Sequence, residues 1–168
     1  MAADIRPATS ADLPALAALI ERAYRGDTAR LGWTHEADLL FDTRLSEGEL
    51  EEILHDPDQT QLVMLEGGTL LGCVNVARRS SNLAYLGLLC IEPTRQGEGL
   101  GRGLIAAAET HAHDAFGCSA IEMTVIEQRS ELIAYYQRRG WQVTGEQRDF
   151  PVALDPPLYM TVLAKPLA

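Results

Sequence analysis

Residues 91–103 read IEPTRQGEGLGRG and join an apolar run to a segment with helical periodicity. Glycine occupies every second position from 97 to 103, which removes side chains where the backbone must approach another group closely. At a helix start the first N–H groups lack intrahelical partners, and with the helix dipole they attract phosphate oxygens. Arg95 and Arg102 can add charge-assisted contacts to a phosphate. This turn therefore predicts a phosphate cradle, with a tight left-handed turn or close strand–helix packing as the alternatives.

The nicotinamide-dinucleotide fingerprint G-x-G-x-x-G is the main competing glycine pattern. The sequence does not match this fingerprint, because counting from Gly97 places Arg102 where the third glycine should be. Counting from Gly99 places Leu104 there, and counting from Gly101 starts inside the helix. The fingerprint also belongs to a β-α-β unit, whereas a β-hairpin precedes this turn. The sequence therefore disfavours a nicotinamide enzyme.

Apolar periodicity on both sides of the turn predicts the remaining elements. Alternating or continuous apolar runs indicate strands, and apolar residues three and four positions apart indicate helices. The predicted strands are 5–7, 61–65, 70–77, 83–91, 120–126, 141–148 and 158–164, and the predicted helices are 13–24, 46–55, 99–116 and 130–138. The order β-α-α-β-β-β-α-β-α-β-β shows neither a linker nor a repeat, and it predicts a single domain over residues 1–168 with one mixed sheet.

Composition excludes several kinds of function. With 24 acidic and 14 basic residues the formal net charge is −10, so phosphate backbones and anionic lipid would repel the chain. We therefore expect neither a nucleic-acid partner nor a membrane partner. Lys165 is the only lysine and has no glycine loop nearby, which excludes a Walker-type phosphate loop.

Cysteine and histidine spacing predicts no disulfide framework and no metal site. The three cysteines form no C-x-x-C pair, and His111 and His113 face different sides of their helix. The N-terminus lacks a basic region followed by an apolar stretch, and no long uncharged apolar run is present. We expect a cytoplasmic protein.

Two motifs carry a family resemblance. Residues 96–101, QGEGLG, match the Q/R-x-x-G-x-G/A signature of the GNAT superfamily of acyl-coenzyme A dependent N-acyltransferases. Residues 134–141, AYYQRRGW, resemble that family's tyrosine-then-glycine-aromatic motif. The resemblance implies an α+β (mixed α/β) fold with a central, mostly antiparallel mixed sheet of six or seven strands. It also implies helices on both faces and a splayed central strand pair.

The same resemblance implies acetyl-CoA as cofactor, with its pyrophosphate on the amides of the glycine turn. The pantetheine arm would run along the end of the preceding strand, where a neighbouring strand diverges. Arg129 stands where many members carry an Asn near the arm, and a surface charge at a helix start is the alternative. The implied cofactor-binding residues are Leu89, Cys90, Ile91, Gln96, Gly97, Glu98, Gly99, Leu100, Gly101, Arg102 and Arg129.

Tyr136 matches the family's usual proton donor to the leaving thiolate. A phenol with a pKa near 10 stays protonated at neutral pH and can donate to a thiolate; the alternative is a core tyrosine. Some branches carry a glutamate early in the strand before the turn, but here that position holds Tyr85. The remaining candidates for the base that deprotonates the amine are Glu36, Glu92, Glu122 and Glu127.

Acceptor specificity in the family comes from the connection between the front helices, here residues 24–36. Arg25 could hold a carboxylate, Trp33 could form a wall of a pocket and Glu36 could attract an amine, and with Tyr85 they form the predicted substrate set. The alternative is that the three loop residues only hold their loop against the core. The predicted function is acetyl transfer to a primary amine of a small molecule or a peptide N-terminus. The alternative is a non-catalytic acetyl-CoA-binding regulatory module. A homodimer through the last strand remains open.

Overall fold

The computed structural model describes residues 3–24, 46–95, 97–149 and 156–167. Its strands are β1 (Asp4–Pro7), β2 (Gln59–Glu66), β3 (Thr69–Arg78), β4 (Leu83–Ile91), β5 (Ala120–Ile126), β6 (Gln142–Asp149) and β7 (Tyr159–Pro166). Its helices are α1 (Leu13–Tyr24), α2 (Glu47–His55), α3 (Leu100–Asp114) and α4 (Ser130–Gln137). The predicted order is confirmed. Among these helices none is long and apolar enough to cross a membrane.

All seven strands belong to one sheet with the order β1-β2-β3-β4-β5-β7-β6. Strands β4 and β5 are parallel, and the other neighbouring pairs are antiparallel. The parallel pair arises because α3 carries the chain back across the sheet between β4 and β5. The predicted mostly antiparallel mixed sheet is thus confirmed, while the extent of the domain over residues 1–168 stays a prediction.

Helices cover both faces of the sheet, as predicted. On the α1/α2 face, Leu16 and Leu50 belong to one buried cluster with Val63 of β2. On the α3/α4 face, Leu104 belongs to a larger cluster with Val74 of β3. Because successive strand residues point to opposite faces, the central strands are apolar in almost every position.

Short-range contacts explain where the helices begin and end. Ser46 precedes α2, and its Oγ accepts a hydrogen bond of 3.1 Å from the Glu49 backbone N–H. The Glu49 carboxylate accepts in return from the Ser46 backbone N–H, which completes a capping box. Beyond α3 the chain turns at Gly117, whose φ of 67° is a left-handed conformation that glycine adopts without strain.

Candidate active site

Strands β4 and β5 lie side by side for a short distance and then separate. Their parallel pairing runs from Leu83 with Ala120 to Tyr85 with Glu122. Beyond that pair, β4 continues to Ile91 alongside β3. Leu86, the next residue of β4, is buried, and residues 87–89 after it are half-buried, as expected beside an opening between strands. The predicted splayed strand pair is confirmed, and we call the gap the β4–β5 opening.

A β-bulge deflects β4 beside this opening. The register with β3 passes from Cys73 opposite Cys90 to Asn75 opposite Gly87, so β4 carries one extra residue. Leu88 within the bulge has a φ of 50°, which costs energy for a residue with a Cβ. The Cys73 thiol donates to the Leu88 carbonyl oxygen at 3.6 Å. The deflection explains why β4 leaves β5, and sequence analysis missed it because Leu88 carries no local signal.

The glycine turn between β4 and α3 has an open surface. Gly97 and Gly99 have φ values of 87° and 82°, in the left-handed region. A Cβ added at Gly97 or Gly101 would meet no atom within 4 Å. Gly99 is the N-cap of α3 and contributes no side chain to cap it. The first N–H groups of α3 therefore lie behind an uncovered backbone surface, which fits a phosphate-bearing cofactor.

The two arginines of the turn differ in their contacts. Arg95 donates from Nε to Glu98 at 2.8 Å and from Nη1 to Glu66 of β2 at 3.4 Å. These hydrogen bonds raise the pKa of Arg95 and lower that of Glu98. Arg102 folds back over the turn, with Nη2 3.4 Å from the position a Cβ on Gly99 would take. Arg95 thus braces the turn against β2 instead of pointing into it, and Arg102 is the guanidinium better placed for a phosphate.

Tyr136 lies on α4 beneath the β4–β5 opening, on the α3/α4 face. Tyr136 is 8% exposed. Its ring makes edge-on contacts with the rings of Tyr135 and Trp141, whose centroids lie 5.3 and 6.4 Å from its own. The buried cluster that contains Tyr136 also contains Leu86 of β4 and Val125 of β5. Tyr136 therefore shares a core with strand residues from both sides of the opening, which suits a proton donor held rigidly there.

Three of the carboxylates considered as bases lie in the described part of the chain, and each accepts hydrogen bonds. Both oxygens of Glu122 accept from Arg148, at 2.9 and 3.1 Å, across the intervening strand β7. Glu92 accepts from Nε and Nη2 of Arg22 on α1, at 3.1 and 2.8 Å. Glu127 accepts one bond of 2.7 Å from a glutamine of β6. Glu92 and Glu122 are therefore each already engaged by a guanidinium, which leaves them less available to contact an acceptor amine.

Four of the predicted site residues lie outside the described residues: Arg25, Trp33, Glu36 and Gln96. Arg129 is described, is buried, and occupies the N-cap position of α4 without a capping hydrogen bond from its side chain. Its Nε donates to Glu131 at 2.8 Å, and its contact with the cofactor arm stays a prediction. Within the described ranges no group of three or more His, Cys, Asp or Glu side chains is placed to hold a metal ion.

The α1/α2 face also carries polar side chains that sequence analysis did not select. Gln61 and Asn75 are 1% and 8% exposed, and the Asn75 amide donates to Gln61 Oε1 at 3.2 Å. Next to them, the Tyr85 and Thr124 hydroxyls are 2.6 Å apart across the opening. A polar residue at an inward position of an otherwise apolar strand is the signal that would have identified Gln61 and Asn75.

Comparison with known proteins agrees with this geometry. The model of the acetyltransferase (GNAT) family matches residues 16–141. A spermine/spermidine N(1)-acetyltransferase of Bacillus subtilis is 32% identical over 62 residues, which cover 37% of this chain and 41% of that relative. YncA from Salmonella typhimurium, solved with its cofactor acetyl-CoA, superposes with a TM-score of 0.77 at 20% identity, covering 100% of this chain and 95% of that one.

Two further solved structures share the fold. The ribosomal-protein-S18-alanine N-acetyltransferase of Escherichia coli gives a TM-score of 0.75 at 17% identity, covering 99% of this chain and 95% of that one. The PaiA N-acetyltransferase of Thermoplasma acidophilum, in complex with coenzyme A, gives 0.75 at 18% identity, covering 99% of both chains. The family match spans both predicted motifs, the glycine turn and Tyr136, and acetyl-CoA is the acyl donor of that family. The chain therefore belongs to the GNAT family of acetyltransferases.

Proposed function

We propose that the protein is an N-acetyltransferase that moves an acetyl group from acetyl-CoA to a primary amine by direct attack, with Tyr136 as general acid. The acceptor is a small molecule or a peptide N-terminus. We expect the enzyme to act in the cytoplasm.

One observation carries this proposal: the β4–β5 opening leads directly into the uncovered glycine turn. The parallel ladder ends at Tyr85, and β4 runs on to Ile91, two residues before the short helical turn Pro93–Arg95. An extended arm bearing amides can lie along a strand edge that its neighbour has left, as an added strand does. The glycine turn at the end of that strand is where phosphates would bind.

This arrangement supports separate roles for the cofactor-binding residues. The amides from Gln96 to Arg102 would hold the phosphates, with the Arg102 guanidinium adding a charge-assisted contact. The backbone of Leu89, Cys90 and Ile91 would align the arm. Arg129, buried at the start of α4, is proposed to contact the arm from the side of β5. Bound acetyl-CoA supplies the reactive thioester.

The acceptor side is proposed to involve the α1/α2 face. Tyr85 lies on that face, and Arg25, Trp33 and Glu36 are proposed to complete the site. The net charge of −10 favours encounter with a cationic amine. The Bacillus relative that matches part of the chain acetylates spermine and spermidine, which makes polyamines the first amines to test.

Replacing Tyr136 with Phe tests the general acid. The phenol proton donor is lost while the ring contacts with Trp141 remain, so kcat should fall about 100-fold or more. The dissociation constant for acetyl-CoA, measured by calorimetry, should stay within about twofold because the hydroxyl acts on the leaving thiolate. Tyr135→Phe is the matched control, since Tyr135 lies next in the chain and packs under the Arg139 guanidinium at 3.8 Å. Equal kcat values for the two variants would remove Tyr136 from the mechanism.

An acceptor panel tests the function itself. Polyamines, amino acids, aminoglycosides and peptides with free N-termini are incubated with acetyl-CoA, and release of the coenzyme A thiol is followed. We expect turnover with at least one class. Tight binding of acetyl-CoA without transfer to any of them would favour the cofactor-binding regulatory module instead.

A further inference from the structure

The hydroxyls of Tyr85 and Thr124 connect β4 and β5 at the place where their ladder ends. Backbone pairing stops at Tyr85 with Glu122, and Thr124 lies two residues further along β5. The Tyr85 Oη and the Thr124 Oγ1 are 2.6 Å apart. A side-chain hydrogen bond therefore continues the connection between the strands one step into the β4–β5 opening.

Tyr85 reaches Thr124 because its ring leans along its own strand. A Cβ added at Gly87 would lie 3.1 Å from the Tyr85 Cε1, so the missing side chain at position 87 provides the room for the ring. The Arg79 guanidinium lies 4.5 Å from the ring centroid and holds the ring by a cation–π contact. The orientation of Tyr85 is thus supported by Arg79, just after the end of β3, and by the space at Gly87 on β4, independently of Thr124.

We propose that Tyr85 and Thr124 form a clasp that sets the width of the β4–β5 opening and so positions the acyl-bearing end of the cofactor arm. The inference rests on the proposed function, because it assigns the opening to the arm of acetyl-CoA. Tyr85 acts here as a positioning residue through Thr124, in addition to any contact it makes with the acceptor. A displacement of the reacting groups by about 1 Å lowers the rate strongly, so a small change in width matters.

The clasp predicts a coupled effect of two conservative substitutions. Tyr85→Phe and Thr124→Val each remove one hydroxyl and keep the side-chain volume nearly constant. Each should weaken acetyl-CoA binding by up to about tenfold, because one neutral hydrogen bond limits what the clasp can contribute to holding the opening at the width that the arm requires. Each should also lower kcat. The double variant should match the single variants, because both remove the same bond.

A ligand that lacks the pantetheine arm distinguishes a loss of arm positioning from a general loss of structure at the cofactor site. Adenosine 3′,5′-bisphosphate carries phosphates but no pantetheine, so its affinity should be unchanged in all three variants. Thr161→Val is the matched control, because the Thr161 hydroxyl on β7 makes no hydrogen bond to other residues in the described part of the chain. It should bind both ligands as the unmodified protein does.

Three results would overturn the clasp. Equal weakening of acetyl-CoA and of the bisphosphate would show a general structural defect. Additive losses in the double variant would show that the hydroxyls act separately. An effect of Tyr85→Phe on the acceptor KM alone, with Thr124→Val silent, would show that Tyr85 only contacts the acceptor. Because the first two results are measured by binding alone, they decide the clasp even if no amine is acetylated, which would refute the proposed function alone.

Discussion

Replacing Gly72 with Ala tests the packing that holds the glycine turn against the sheet. Gly72 lies on β3 opposite Ile91, the last residue of β4. A Cβ at this position would lie 2.9 Å from the Cys90 carbonyl oxygen, 2.9 Å from Leu104 Cδ1 and 3.0 Å from Ile91 Cδ1. The carbonyl oxygen belongs to the backbone of β4, so it cannot move aside without displacing the strand that leads into the turn.

The size of the effect follows from two opposing contributions. Forcing a methyl group into a filled core costs about 1–3 kcal/mol. Reduced conformational freedom of the unfolded chain returns about 0.4–1 kcal/mol when Gly becomes Ala. The free energy of unfolding of Gly72→Ala should therefore fall by about 1–2 kcal/mol, and its Tm by about 2–8 °C for a chain of this size.

The matched control is Gly48→Ala on the exposed side of α2. There the nearest atom to an added Cβ is the Ser46 Oγ at 3.8 Å, an ordinary contact. The same substitution should raise the free energy of unfolding by about 0.5–1 kcal/mol, because Ala favours the helix. Urea denaturation followed by circular dichroism measures both. If Gly72→Ala proves as stable as the unmodified protein, the close approach of β3, β4 and α3 is not the constraint argued here.

The remaining predictions concern the cofactor site and two pH-dependent contacts. Gly101→Leu, whose side chain would grow into the open surface of the turn, should weaken acetyl-CoA binding at least about tenfold while leaving Tm unchanged. The His111 ring lies 2.7 Å from the Thr60 hydroxyl, and burial lowers the pKa of His111. The neutral ring therefore contributes to the free energy of unfolding above about pH 6.5, and this contribution is lost as the pH falls. His111→Gln should flatten that part of a curve of stability against pH. A hydrogen bond from Arg6 lowers the pKa of Asp12 to about 2, so Asp12→Asn should cost about 1 kcal/mol at pH 7, and this difference should disappear as the pH falls from about 4 to 2.

The strand–turn–helix around residues 83–114 could be predicted because each of its signals is local. An apolar run indicates a buried strand, and alternating glycines indicate a turn whose backbone adopts positive φ. The observed β4 has the predicted ends. When a helix follows such a strand and turn, it carries the chain back across the sheet, so the next strand is expected to run parallel to the first. Strand β5 does run parallel to β4.

Features that depend on the register between distant strands could not be predicted. The bulge at Leu88 requires a leucine at positive φ, which surrounding pairing imposes and no local preference indicates. The contact of Tyr85 with Thr124 depends on where the backbone pairing of β4 with β5 ends, which is at Tyr85 opposite Glu122. Arg148 reaches Glu122 across β7, and only the order β5-β7-β6 brings these residues together.

The ion pairs around the opening bear on where the acceptor amine loses its proton. Arg22 and Arg148 each donate two hydrogen bonds to a carboxylate, Glu92 and Glu122 respectively. In each pair the guanidinium already occupies the carboxylate, so neither carboxylate offers a free negative charge to an ammonium group. Of the carboxylates considered, Glu36 and Glu127 are then the stronger candidates, with ordered water as the alternative acceptor. An amine with a lower pKa needs less help from any base, which is why peptide α-amines belong beside polyamines in the acceptor panel.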